Sequence, residues 1–176
     1  RNVPYAVMGL AQVGNLLFLA TESVPALGFA SGFMRWDHDL RSAFDLATGA
    51  ALVHATALHP RHLPGSQVRT AVVWIATGAL IVAVLGGLLA SPWWWTQIAV
   101  TACGLLAIAQ LGWMQRLKPH PMAAVLRRFC AMTVGTLLLL TVSIAAVGPL
   151  TGCQGQAINI GAAMWVVFVA SMLLMV

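Results

Sequence analysis

Residues 70–115 and 129–176 contain no Asp, Glu, Lys or Arg. A soluble domain cannot be built this way, because each exposed helix face needs polar residues to hold it in water. Each tract is also too long for a single membrane span, which takes about 20 apolar residues. Each is interrupted once near its middle, by Ser91-Pro92-Trp93-Trp94-Trp95 and by Thr151-Gly152-Cys153-Gln154-Gly155-Gln156. Two helical hairpins inside a bilayer are the reading this pattern favours.

Composition agrees. The chain has 176 residues and is 7% charged, against about 25% for globular proteins. That deficit excludes a soluble enzyme and a disordered tail. The predicted fold is all-α: one domain, residues 1–176, of six transmembrane helices in three hairpins, which leaves no room for a soluble catalytic domain. Strands are not expected, since the runs are long and do not alternate apolar with polar. The predicted spans are 3–21, 42–58, 70–90, 96–114, 129–147 and 157–176. The second is the weakest, with Asp45 near its start and His54 inside it. Pro92 and Gly148-Pro149 are expected to stop the third and fifth.

Orientation follows from Lys and Arg in short loops. If the spans alternate, Arg1, Arg61, Arg69, Arg116, Lys118, Arg127 and Arg128 share one side. Only Arg35 and Arg41 lie on the other, next to Asp37 and Asp39. Both termini are therefore expected in the cytoplasm of a bacterial-type inner membrane. The basic balance reflects this orientation rather than nucleic acid. The chain stops on the apolar run 171–176 without a polar anchor, so a continuation beyond Val176 is expected. The first outer connection is apolar over 26–34 and charged over 35–39. It reads as an interfacial or re-entrant segment, with Gly28 and Gly32 at a spacing that lets helices approach.

Polar groups inside the membrane are the best pointers to function, because each must be satisfied. Gln12, Asn15 and Glu22 share one face of the first span. Asp45, Thr48, Gly49 and Thr56 make a small or polar face on the second, and Asp45 can reach the first-span stripe or pair with Arg41. Trp93, Trp94 and Trp95 belong at the outer interface, as anchors or as an aromatic lid. Together Gln12, Asn15, Glu22, Asp45 and the three Trp outline a candidate ligand pocket opening outward. The bland alternative is interhelical hydrogen bonding. Thr133, Thr136 and Ser143 on the fifth span can bond their own helix's carbonyls.

His54 is a candidate proton-linked group or haem ligand, weighed against a hydrogen-bonded packing role. His59, His62 and His120 lie in proline-containing cationic loops and read as solvated rather than as a metal site. Three cysteines (Cys103, Cys130, Cys153) form no C-x-x-C and no disulfide framework. No H-E-x-x-H, G-x-S-x-G, P-loop or EF-hand pattern occurs, so no catalytic residue is assigned.

Three functions are compatible. The first is a non-catalytic membrane domain: a sensory input domain, or a subunit of a larger membrane complex, whose partners are the bilayer and either other subunits or a fused cytoplasmic domain. The second is a small solute-binding transporter subunit. In plan the chain is similar to the substrate-binding components of energy-coupling factor transporters. That resemblance implies six spans and outer loops closing over a substrate. Their Ala-xxx-Ala motif is not matched, since Ala6 is followed by Leu10 and Gly9 by Val13. The third is a haem- or quinone-associated redox subunit using His54.

Overall fold

The computed structural model describes residues 2–23, 36–60 and 62–151, with side chains outside 18–23 and 147–151. All described regular structure is helical: α1 (Val3–Ser23), α2 (Asp37–Leu58), α3 (Ser66–Leu85), α4 (Pro92–Leu117) and α5 (Pro121–Thr151). Three of these helices, α3, α4 and α5 over Pro121–Ala146, are long and apolar enough to cross a membrane. The protein is an all-α, multi-pass membrane protein. The predicted sixth span, residues 24–35 of the first outer connection, and Cys153 lie outside the described residues. Packing divides the chain into two compact units, Arg1–Cys130 and Ala131–Val176.

Local chemistry sets the helix boundaries, and several differ from the sequence expectation. The second helix starts at Asp37, not near residue 42. Asp37 and Asp39 stand in its first turn, where carboxylates favour the positive end of the helix dipole. Arg41 closes that turn by giving both Nε and Nη2 to Asp37, each at 2.9 Å. The third helix ends at Leu85, five residues before the predicted stop. Leu88 N donates to Ala83 O at 2.9 Å and Gly87 N to Val84 O at 3.0 Å, with Gly87 at φ 65. This paired closure needs a left-handed residue, which glycine supplies without steric cost.

Proline marks starts more than stops. Pro92 opens α4, and Pro121 opens α5, in the first turn where its missing N–H costs nothing. Trp93, Trp94 and Trp95 are therefore the first turn of a helix rather than a connecting turn. His120 caps α5, its Nδ1 accepting from Met122 N at 3.2 Å. Arg127 and Arg128 lie within α5, not in a loop as predicted. Gly148-Pro149 does not end that helix, which runs to Thr151.

In the first unit α2 is the hub, packed against α1, α3 and α4. Ala50, Ala51, Val53 and Ala57 are all fully buried. Small side chains allow this enclosure, since a backbone can approach only where no bulk intervenes. Phe44 lies on Gly14 of α1, its ring only 2.5 Å from where a Cβ there would sit. Its surroundings also explain why the second span looked weak in sequence. A helix ringed by protein has no need of an apolar surface for lipid, so it can carry Asp45, Thr48 and Thr56. By contrast α3 exposes Val68, Val72, Ile75 and Val82, a single stripe at helical spacing suited to hydrocarbon.

Neighbouring helices reveal their directions. Residues 12 and 15 of α1 meet 48 and 45 of α2, so these two run antiparallel. Residues 49 and 56 of α2 meet 103 and 110 of α4, so those two run parallel. Where α4 ends, a small cluster closes the core: Leu63, Leu111, Met114, Ala123 and Cys130 are buried together.

Candidate functional site

Two interhelical hydrogen bonds join α1 to α2. Gln12 Nε2 donates to Thr48 Oγ1 at 3.0 Å, and Asn15 Nδ2 to Asp45 Oδ1 at 2.8 Å. The predicted stripe on α1 thus meets the predicted polar face of α2. Asp45 takes its hydrogen-bond partner on the facing helix, while Arg41 is held by Asp37 and acts on Asp45 through its charge. The carbonyl oxygen of Asn15 is buried with no protein partner. The Glu22 side chain lies outside the described side chains.

The polar face on α2 does not act as one surface. Asp45 and Thr48 turn to α1, whereas Gly49 and Thr56 turn to α4. Gly49 sits where α2 and α4 come closest: a Cβ there would lie 3.3 Å from Cys103 Cβ and 3.7 Å from Val100 Cα. Two turns further on, Thr56 Oγ1 lies 3.0 Å from Gln110 Oε1. The same hydroxyl is 3.0 Å from Leu52 O and 3.1 Å from Val53 O, and it has one proton to give. Gln110 is 3% exposed, and its Nε2 has no partner. Turning the amide over lets Nε2 donate to Thr56 Oγ1 while Thr56 donates to Leu52 O, which satisfies one more buried donor.

Gln110 was not singled out from the sequence. It is one uncharged polar residue in a long apolar tract, and only the register of α2 against α4 gives it a partner. Because Thr56 keeps its bond to its own helix, Gln110→Leu strands nothing and is expected to cost less than about 1 kcal/mol. Gln110→Glu places a carboxyl group in the same apolar setting and is expected to cost about 2–3 kcal/mol or more. Thermal unfolding in detergent distinguishes the two, and equal loss from both removes the proposed pairing.

The tryptophans lie toward the same end of the bundle. The register that sets Gly49 against Cys103 and Thr56 against Gln110 places Asp45 level with Ala99, about one turn in from Trp95. Trp94 and Trp95 are 40% and 50% exposed. Trp93 packs edge-to-face on Trp94 with centroids 4.8 Å apart. Thr96 is buried and donates to Pro92 O at 2.9 Å, closing the first turn on itself. The structure thus brings the tryptophans to the same end as the Asn15–Asp45 pair.

His54 lies on a different side of α2, against α3. Its Nδ1 accepts from Trp74 Nε1 at 3.3 Å. In that arrangement a neutral imidazole carries its proton on Nε2. His59 meets Tyr5 edge-on, with ring centroids 6.0 Å apart, and His120 serves as a helix cap. Among the described residues no three His, Cys, Asp or Glu side chains gather at one point. On α5, Thr136 and Thr141 donate to Met132 O and Leu137 O, whereas Thr133 Oγ1 is buried without a partner. Comparison with protein-family models, with curated proteins and with solved structures finds no match.

Proposed function

We propose that the chain is a non-catalytic membrane domain of six spans in three hairpins with both termini inside, acting as the sensory input domain or a subunit of a larger membrane assembly. The observation that carries this reading is the placement of the in-membrane polar side chains. Gln12, Asn15, Asp45, Thr48, Thr56 and Gln110 tie α1 to α2 and α2 to α4. Groups held between helices set helix position; they do not present a nucleophile or an acid–base pair to a substrate.

The same connections favour signal transfer. A ligand at the end marked by Trp93–Trp95 and the Asn15–Asp45 pair would displace α1 or α2. The Gly49 close approach and the Thr56–Gln110 bond would carry that shift to the opposite end of α4. The unpartnered Asn15 carbonyl supplies one acceptor for such a ligand. Alternating helix directions support the hairpin plan: α1 against α2, and α3 against α4 where Arg69 meets Trp113.

Native mass spectrometry of the protein extracted from its own membrane tests the proposal. The expected result is a polypeptide heavier than 176 residues with a soluble effector, or a stable complex with a second membrane subunit. A lone polypeptide of this length that accumulates a labelled solute in proteoliposomes would favour the transporter instead. A Soret band in the purified protein would favour the redox subunit.

A further inference from the structure

Opposite the Asn15–Asp45 end, an open recess of about 320 Å³ lies between the last turns of α4 and the first turns of α5, lined by Ala109, Gly112, Trp113, Arg116 and Arg127. Gly112 forms its floor: a Cβ there would touch Arg127 Nη1 at 3.7 Å. Arg69, at the start of α3, places its guanidinium 5.1 Å from the Trp113 ring centre. Its Nε and Nη2 are buried and make no hydrogen bond. One guanidinium thus lies over the Trp113 indole, and two more line the recess beside it. Among the described residues neither Arg116 nor Arg127 has an ion pair, and Asp37, Asp39 and Asp45 lie toward the far end of α2.

We propose that this recess binds the phosphate of an anionic phospholipid, with Arg116 and Arg127 as its charged arms and Trp113 as its wall. Charge calls for an anion, and guanidinium forks suit phosphate oxygens. Depth selects a lipid over a free anion. Arg69 and Arg116 bound one charge-free tract and Arg128, next to Arg127, precedes the other, so the recess sits at the edge of the hydrocarbon layer. Trp113 is 42% exposed there, as an interfacial indole should be. Leu105, Ala109, Gly112 and Arg116 form one exposed-to-recess stripe along α4. A headgroup at Arg116 can therefore send its acyl chain over Leu105, which is 53% exposed. Basic pockets between spans at the headgroup level recognise anionic lipids in this manner.

The test uses the full chain in mixed micelles with equal dioleoylphosphatidylglycerol and dioleoylphosphatidylcholine, and counts retained lipids by native mass spectrometry. Preferential retention of phosphatidylglycerol is expected. Arg116→Gln and Arg127→Gln should each lower that preference about fivefold, the worth of one arginine near an anionic surface. Gly112→Leu fills the recess without changing charge and should also lower it. Lys118→Gln with Arg128→Gln removes two charges outside the recess and should lower it less than either lining arginine. Equal retention of both lipids by the unaltered protein overturns the proposal. So does a loss from the outside pair equal to that from either lining arginine, which would mean diffuse attraction. Displacement of the lipid by millimolar glycerol phosphate also overturns it, since the site would then read a free phosphate. Thermal unfolding of each variant shows whether it is folded, and Gly112→Leu remains decisive if an arginine variant is not.

Discussion

Asn15→Leu is expected to destabilise the protein by roughly 1–3 kcal/mol, and Asp45→Leu added to it should restore most of that loss. Asn15 Nδ2 donates to Asp45 Oδ1 at 2.8 Å. Removing the amide leaves a half-buried carboxyl group in a helix interface without its donor. Removing the carboxyl instead leaves a neutral amide, whose desolvation is less costly. Removing both leaves two apolar side chains that pack. Neutral hydrogen bonds between membrane helices average only about 0.6 kcal/mol in double-mutant cycles, because the separated helices find other partners. A carboxyl acceptor should exceed that value, and the coupling energy is the quantity to read. Unfolding of the four proteins in mixed micelles yields it. Effects that add within about 0.5 kcal/mol mean the two residues act independently, and the bond would then not hold α1 to α2.

Gly49→Leu is expected to cost at least as much, on the order of 1–3 kcal/mol or more, by overpacking. There is no free volume at this position: a Cβ alone would lie 3.3 Å from Cys103 Cβ, with Val100 backbone just beyond. Gly49→Ala asks Cys103 to yield by a few tenths of an ångström and should be mild. Leucine adds three further carbons and forces α2 and α4 apart. That separation also lengthens the Thr56–Gln110 contact two turns away, so the cost spreads beyond the site. Cys103→Gly in the Gly49→Leu background opens space on the facing helix and should recover part of the stability. A Gly49→Leu protein that melts with the parent would show that the helices do not meet here. A Gly49→Leu protein without recovery from Cys103→Gly would locate the clash at the Val100 backbone.

Both predictions rest on α2, the helix that its sequence recommends least. Sequence logic looks for apolar length, because lipid demands it, and α3, α4 and α5 announce themselves by that criterion. It undervalues a helix surrounded by other helices. Asp45, Thr48 and Thr56 lower the apolar content of α2, yet each faces protein. The acidic first turn likewise resembled a loop, until Asp37 and Arg41 proved to be one turn of helix. In the sequence Pro92 reads as the stop for α3; in the fold Gly86-Gly87 ends that helix and Pro92 opens α4.

The candidate site divides in the same way. Helical spacing alone placed Gln12 and Asn15 on one face, since residues three apart on a helix are neighbours whatever surrounds them. It also paired that face with Asp45 as one of two options. It gave no means to choose the partner on the facing helix over Arg41, to separate Thr48 from Thr56, or to find Gln110. Those are matters of register between helices.

Residence in a membrane, helical class and the ends of the long apolar runs were written in the chain itself, because the bilayer imposes its demands on each segment separately: an apolar length, satisfied backbone bonds and charges at the margins. Which helix is enclosed, where α2 touches α4, and how Arg69, Arg116 and Arg127 come together near Trp113 were decided only by tertiary packing. Each depends on the rotation and offset of one helix against another, and a single helix carries no record of either.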